Sequence, residues 1–144
     1  MFYVDTSVLT AYYCPEPLSE RVEQLLREQV KPALSYLTEV ELFSAVAKKV
    51  RTEEMGRADG NRIVAQFSAH LEADLFTLIP VAKHHWRLAK AWIGLFSTPL
   101  RTLDALHLAI ASVEGLELVT SDKPLSQAAD QLGVKAHCIA EDSL

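Results

Sequence analysis

Four acidic side chains stand where short apolar runs give way to helical patterns: Asp5, Glu41, Asp104 and Asp122. Asp5 ends the run Phe2–Asp5, and Asp122 follows Thr120 in Thr120-Ser121-Asp122-Lys123-Pro124. Glu41, in Thr38-Glu39-Val40-Glu41, falls in the first turn of the helix expected after a second run. Asp104, in Arg101-Thr102-Leu103-Asp104, opens a later helix. Singly, each has an ordinary explanation. Thr38-x-x-Glu41 matches a capping box, and Asp104 complements a helix dipole. Asp122 suits an N-cap, and Asp5-Thr6-Ser7 suits a strand-to-helix turn. Together they ask for more, because gathered carboxylates repel and raise one another's pKa unless a cation lies among them. Donor sets made only of oxygen select a hard ion such as Mg²⁺ or Mn²⁺. Such ions support phosphoryl transfer: they acidify a water, orient it for in-line attack and neutralise charge on the phosphate, so no side-chain nucleophile is needed.

Smaller residues flank these acids. Thr6, Ser7, Thr120 and Ser121 are placed either to orient carboxylates and water by hydrogen bonds or to bond local backbone as turn residues. Arg101 and Lys123 adjoin two of the acids and are the candidate phosphate contacts. Lys48, Lys49 and Arg51 read as a solvated, dipole-complementing helix end. Glu39 lies two residues from Glu41, which on a helix turns it away, so it is expected to be solvated. His107, one turn beyond Asp104, can be a proton carrier, but an apolar helix favours a packed, hydrogen-bonded histidine. His84 and His85 show no partner spacing for a metal.

The elements that must position these groups follow from the hydrophobic pattern. Strands are expected at Phe2–Asp5, Ala33–Tyr36, Leu75–Ile79, Leu116–Thr120 and Val134–Ile139, each short, apolar and bounded by turn or capping residues. Helical stripes lie between them: Phe43, Val46, Ala47 and Val50; Ile63, Phe67 and Leu71; Trp86, Ala89, Trp92, Ile93 and Phe96; Leu106, Ala109, Ile110 and Val113. Each is expected to be a core face. Pro17 and Pro99 suit first helical turns, Thr98 being a cap for the latter. Gly133 suits the stop after a helix around Leu125–Leu132, and Arg51–Asn61 reads as a loop. Alternating strands and helices predict an α/β domain with a mainly parallel sheet and helices on both faces. In such sheets ligands bind beyond the carboxyl ends of the strands, the edge at which the four acids would gather.

The 144 residues fit a single domain, 1–144, with an ordinary balance of 49% hydrophobic and 23% charged residues. No apolar run is long enough for a membrane span and no signal peptide opens the chain, so a cytoplasmic location is expected. Cys14 and Cys138 lie far apart without CxxC spacing, which argues against a disulfide framework or zinc site. A net charge of −5 does not resemble a basic nucleic-acid footprint. It is equally what a chain shows when carboxylates collect around a cation.

Asp5-Thr6-Ser7-Val8-Leu9, Thr38-Glu39-Val40-Glu41-Leu42, Leu103-Asp104-Ala105-Leu106-His107-Leu108-Ala109 and Val119-Thr120-Ser121-Asp122 resemble, in order and spacing, the four motifs of PIN-domain nucleases. The resemblance runs from Met1 to about Ile139 and is nearest to the toxin ribonucleases of VapBC-type toxin–antitoxin pairs. It implies a PIN-like three-layer α/β/α fold with a roughly five-stranded sheet, Mg²⁺ or Mn²⁺ as cofactor, and RNA as substrate. It further implies a homodimer and a cognate antitoxin whose tail enters the acidic groove. By position, Asp5, Glu41, Asp104 and Asp122 would be the metal ligands, directly or through water.

Two other chemistries fit less well. A phosphatase using Asp5 as nucleophile would place a second aspartate two residues on, where this chain has Ser7. A receiver-like phosphoacceptor would carry an aspartate at the third strand's end, where Leu78-Ile79-Pro80 stands. The remaining alternative is a catalytically inactive PIN-fold module that serves only in binding or dimerisation.

Overall fold

Five three- or four-residue strands carry the centre of the molecule, whose computed structural model describes residues 1–29 and 31–140. They are β1 (Phe2–Val4), β2 (Ala33–Ser35), β3 (Thr77–Ile79), β4 (Glu117–Thr120) and β5 (Ala136–Cys138). All pair in parallel, in the order β3-β2-β1-β4-β5, with Tyr3 opposite Ala33 and Leu118, and Val4 opposite Val119. Each expected strand is present but shorter at one or both ends. The released residues have other work: Asp5 becomes a helix cap and Tyr36 a first helical residue.

Strand alternation sorts the sheet's side chains into two cores. Val4, Leu34 and Val119 meet helices α1 (Thr6–Tyr13), α2 (Ser19–Arg27), α3 (Tyr36–Arg51) and α4 (Arg57–Glu72) through Leu9, Val22, Leu42 and Phe67. Tyr3, Ala33 and Leu118 meet α5 (Lys83–Ile93), α6 (Thr102–Val113) and α7 (Lys123–Gln131) through Ala89, Leu106, Ile110 and Leu125. Each fully buried leucine among them contributes roughly 1.5–3 kcal/mol. The result is the expected three-layer α/β/α arrangement.

The strand order decides where a ligand can sit. From β1 the chain steps outward to β2 and β3, then returns to place β4 and β5 on the other side of β1. The order therefore reverses at β1, and the crevice beyond the carboxyl ends of β1 and β4 is the topological switch point. Asp5 lies at that point.

Several local expectations are corrected. The loop is only residues 52–56, because α4 already begins at Arg57. Gly60, within the expected loop, is inside α4, where an added Cβ would come within 2.8 Å of Val50, so glycine permits the close approach of α3 and α4. Pro99 precedes α6 by three residues rather than opening it. Pro17 lies in a turn just before α2. The buried face of α3 is Thr38, Leu42 and Val46, leaving Phe43 and Ala47 exposed. Trp86, Phe96 and Val113 likewise face outward, while Ala89, Trp92, Leu106 and Ile110 point inward as expected. Among the described residues no helix is long and apolar enough to cross a membrane.

Candidate active site

Asp5 is the most buried of the four acids, 4% exposed. As N-cap of α1 it accepts from Val8 N–H at 3.2 Å, and the same Oδ1 accepts the Ser7 hydroxyl at 2.6 Å. Its other oxygen accepts from the Thr120 hydroxyl at the end of β4. Burial still dominates and pushes the Asp5 carboxyl above the ordinary range, the bonds from Ser7, Thr120 and Val8 and the attraction of His107 offsetting only part of it.

Asp122 caps α7, accepting Leu125 N–H at 3.1 Å, and its own N–H donates to Thr120 Oγ1 at 3.0 Å. One threonine thus joins the first and fourth acids. Ser121 enters through its backbone N–H, which donates to Ser7 Oγ at 3.1 Å. Thr6, Ser7 and Thr120 each bond a carboxylate through the side-chain hydroxyl, whereas Ser121 uses its main chain.

Glu41 is not in a first turn. Ser35 and Thr38 form the capping box of α3, which puts Glu41 in the second turn and frees its side chain from capping. Its Oε1 accepts the Thr6 hydroxyl at 2.8 Å and also bonds His107 Nε2. Burial raises the Glu41 carboxyl, but the bond and charge of His107 with the bond from Thr6 outweigh it, leaving it below the ordinary range. Asp104, in the first turn of α6, goes the other way: burial first, then repulsion from Asp122, Asp5 and Glu41, raises it despite His107. Asp104 thus feels the charge of each of the other three acids, the electrostatic sign that the four share a region. Arg101 and Lys123 are exposed beside it, and among the described residues neither forms an ion pair.

His107 is packed and bonded on both ring nitrogens, Nδ1 lying 2.7 Å from the Tyr3 hydroxyl. Tyr3, buried with its phenol raised by desolvation, also meets Ser35 Oγ at 2.8 Å. Neither Tyr3 nor Ser35 stands out as a sequence signal. Only the two-residue period of β1, which turns Tyr3 toward α6, could have found the contact.

A second cluster, on α5, has a partner that its local spacing hides. Among the described residues, donor atoms of His84, His85 and Glu114 lie within 4.8 Å of one another. Its hydrogen bonds leave little for a cation, however. His85 Nδ1 accepts Ala82 N–H at 2.9 Å, so Nε2 carries the proton and donates to Glu114 at 3.0 Å. Among the described residues, no three of the four acids bring their donor atoms within that distance of one another.

Residues 2–131 match the PIN domain family model. The chain belongs to the PIN domain family. This PIN domain is 33% identical over 135 residues to Ribonuclease VapC46 of Mycobacterium tuberculosis, covering 92% of each chain. Its fold is that of FitAcB from Neisseria gonorrhoeae (TM-score 0.69, 23% identity, 94% of this chain and 96% of that one). It is also that of Mycobacterium tuberculosis VapC20, a sarcin-ricin loop cleaving toxin (TM-score 0.70, 16% identity, 89% and 95%). The motif resemblance and the α/β/α architecture read from the sequence are both upheld.

Proposed function

We propose that this PIN domain is a Mg²⁺- or Mn²⁺-dependent endoribonuclease, with Asp5, Glu41, Asp104 and Asp122 as the groups that hold the metal. The observation that carries the proposal is Asp5, a carboxylate 4% exposed at the topological switch point and raised by burial although three donors bond it. A buried acid left short of charge compensation, whose charge Asp104 feels along with those of Glu41 and Asp122, suits a cation better than it suits any fold-stabilising role. All four donors are carboxylates, which fits a hard divalent ion.

The bound ion would supply positive charge to the scissile phosphate and acidify the attacking water. The chain's own residues do the rest. Ser7 and Thr120 fix the two oxygens of Asp5, and Thr6 fixes Glu41. Arg101 and Lys123 attract and orient the phosphate backbone, which an otherwise acidic surface would repel.

The similarity to Ribonuclease VapC46, and the shared fold with a toxin–antitoxin complex from Klebsiella pneumoniae, support a toxin held inactive by a cognate antitoxin. Exposed Leu95, Phe96 and Leu103, near the end of α5 and the start of α6, support homodimer formation. The test is cleavage of RNA by the purified chain, free of partners, with Mn²⁺ or with EDTA. Asp5→Asn and Asp104→Asn should abolish cleavage, as should EDTA. Activity that survives either change overturns the metal mechanism, and a folded wild type that cuts no RNA favours the inactive binding module.

A further inference from the structure

The four-acid site does not use Tyr3 and His107 directly, yet they form a buried chain that ends on one of its members. The Ser35 and Tyr3 hydroxyls are 2.8 Å apart, the Tyr3 hydroxyl is 2.7 Å from His107 Nδ1, and His107 Nε2 bonds Glu41 Oε1. The chain crosses four elements, from β2 and β1 through α6 to α3, and ties together residues 104 apart in sequence.

Its direction is set by the acceptor. A carboxylate oxygen only accepts, so Nε2 must carry a proton whether the ring is neutral or charged. A neutral ring then presents a bare Nδ1, and the Tyr3 hydroxyl is placed to donate to it. Thr6 donates to the same oxygen, Oε1, at 2.8 Å. Both donors therefore land on one atom. Among the described residues Glu41 Oε2 receives no hydrogen bond, and no buried side-chain oxygen is left unpartnered, so Oε2 is open to solvent.

We infer that His107, held by Tyr3, is a positioning residue that locks Glu41 Oε1 and dedicates Oε2 to the divalent cation. The inference rests on the metal-dependent nuclease reading of the same site. It assigns His107 no proton transfer to substrate: the side chain is 4% exposed and both nitrogens are engaged. Carboxylate ligands are themselves held by outer hydrogen bonds, and loss of such a partner weakens metal binding by about 10–100-fold.

The test is Mn²⁺ affinity of the intact protein, measured by titration calorimetry without RNA, with thermal melting alongside. His107→Leu should weaken binding by about 10–100-fold. His107→Gln, whose amide N–H can donate to Oε1, should recover most of that loss. Tyr3→Phe, which keeps the ring and removes only the hydroxyl, should fall between wild type and His107→Leu. A purely structural role would lower the melting temperature of all three and leave Mn²⁺ affinity unchanged. That result overturns the inference, as does a His107→Gln protein that binds as weakly as His107→Leu. Should His107→Leu fail to fold, the other two variants decide the matter. Wild-type protein that binds no Mn²⁺ removes the nuclease reading itself, whereas normal wild-type binding with unaltered variants removes this inference alone.

Discussion

Thr120, at the end of β4, donates its hydroxyl to Asp5 at the end of β1 while accepting the backbone N–H of Asp122. Neighbouring parallel strands place these residues side by side, since Val4 pairs with Val119 in register. One hydroxyl therefore sets the first acid and the turn that carries the fourth. Thr120→Val keeps the shape and removes both bonds. We expect a loss of about 1–3 kcal/mol of stability, because a buried acceptor and a backbone N–H lose their partner. Mn²⁺-dependent cleavage should fall about 10-fold or more, since the supporting bond to a ligand is gone. Chemical denaturation and initial rates check the two parts separately.

Asp5 and Asp104 are both raised in the folded chain, chiefly by burial. A raised folded-state carboxyl gives stability that is full below the unfolded pKa of about 3.9 and is lost as pH rises through the folded value. Metal-free protein should thus lose part of its stability on going up from about pH 4. Glu41, lowered in the fold, contributes in the opposite sense. Asp5→Asn should flatten the Asp5 part of this profile and be no less stable than wild type near neutral pH, while losing cleavage. Denaturation of metal-free protein across pH values, with and without the substitution, measures it. An unchanged profile would contradict the burial account.

Lys123→Ala and Arg101→Ala should raise the KM for RNA and leave Mn²⁺ affinity alone, because both cations are exposed and unpaired among the described residues. Each should also reduce the slope of log affinity against log salt by about one if it contacts a phosphate. Binding of a single-stranded RNA to Asp104→Asn protein across a salt series would report this without cleavage.

The positions of the acids were legible because capping chemistry and strand exits are local signals. Asp5 and Asp122 do cap α1 and α7, each just beyond the end of a strand. Glu41 shows the limit of that logic. Thr38-x-x-Glu41 fits a capping box, but Ser35, closer to the strand, takes the cap with Thr38 at its third position. The start of α4 was hidden by Gly56, Gly60 and a run of charges, where packing against Val50 overrides helix propensity. Phe43 and Phe96 fit apolar stripes yet face outward, since a stripe's spacing does not say which neighbour will cover it. The Tyr3–His107 contact spans 104 residues and depends on strand order, which no local pattern encodes.

A divalent ion held by the four acids is what the proposed chemistry requires. Crystals grown with Mn²⁺ and measured for its anomalous scattering test this most directly. We predict a peak among Asp5, Glu41, Asp104 and Asp122, absent in Asp104→Asn crystals, and none at His84, His85 and Glu114. A peak at the histidine cluster alone, or no peak at the four acids in well-ordered wild-type crystals, would contradict it.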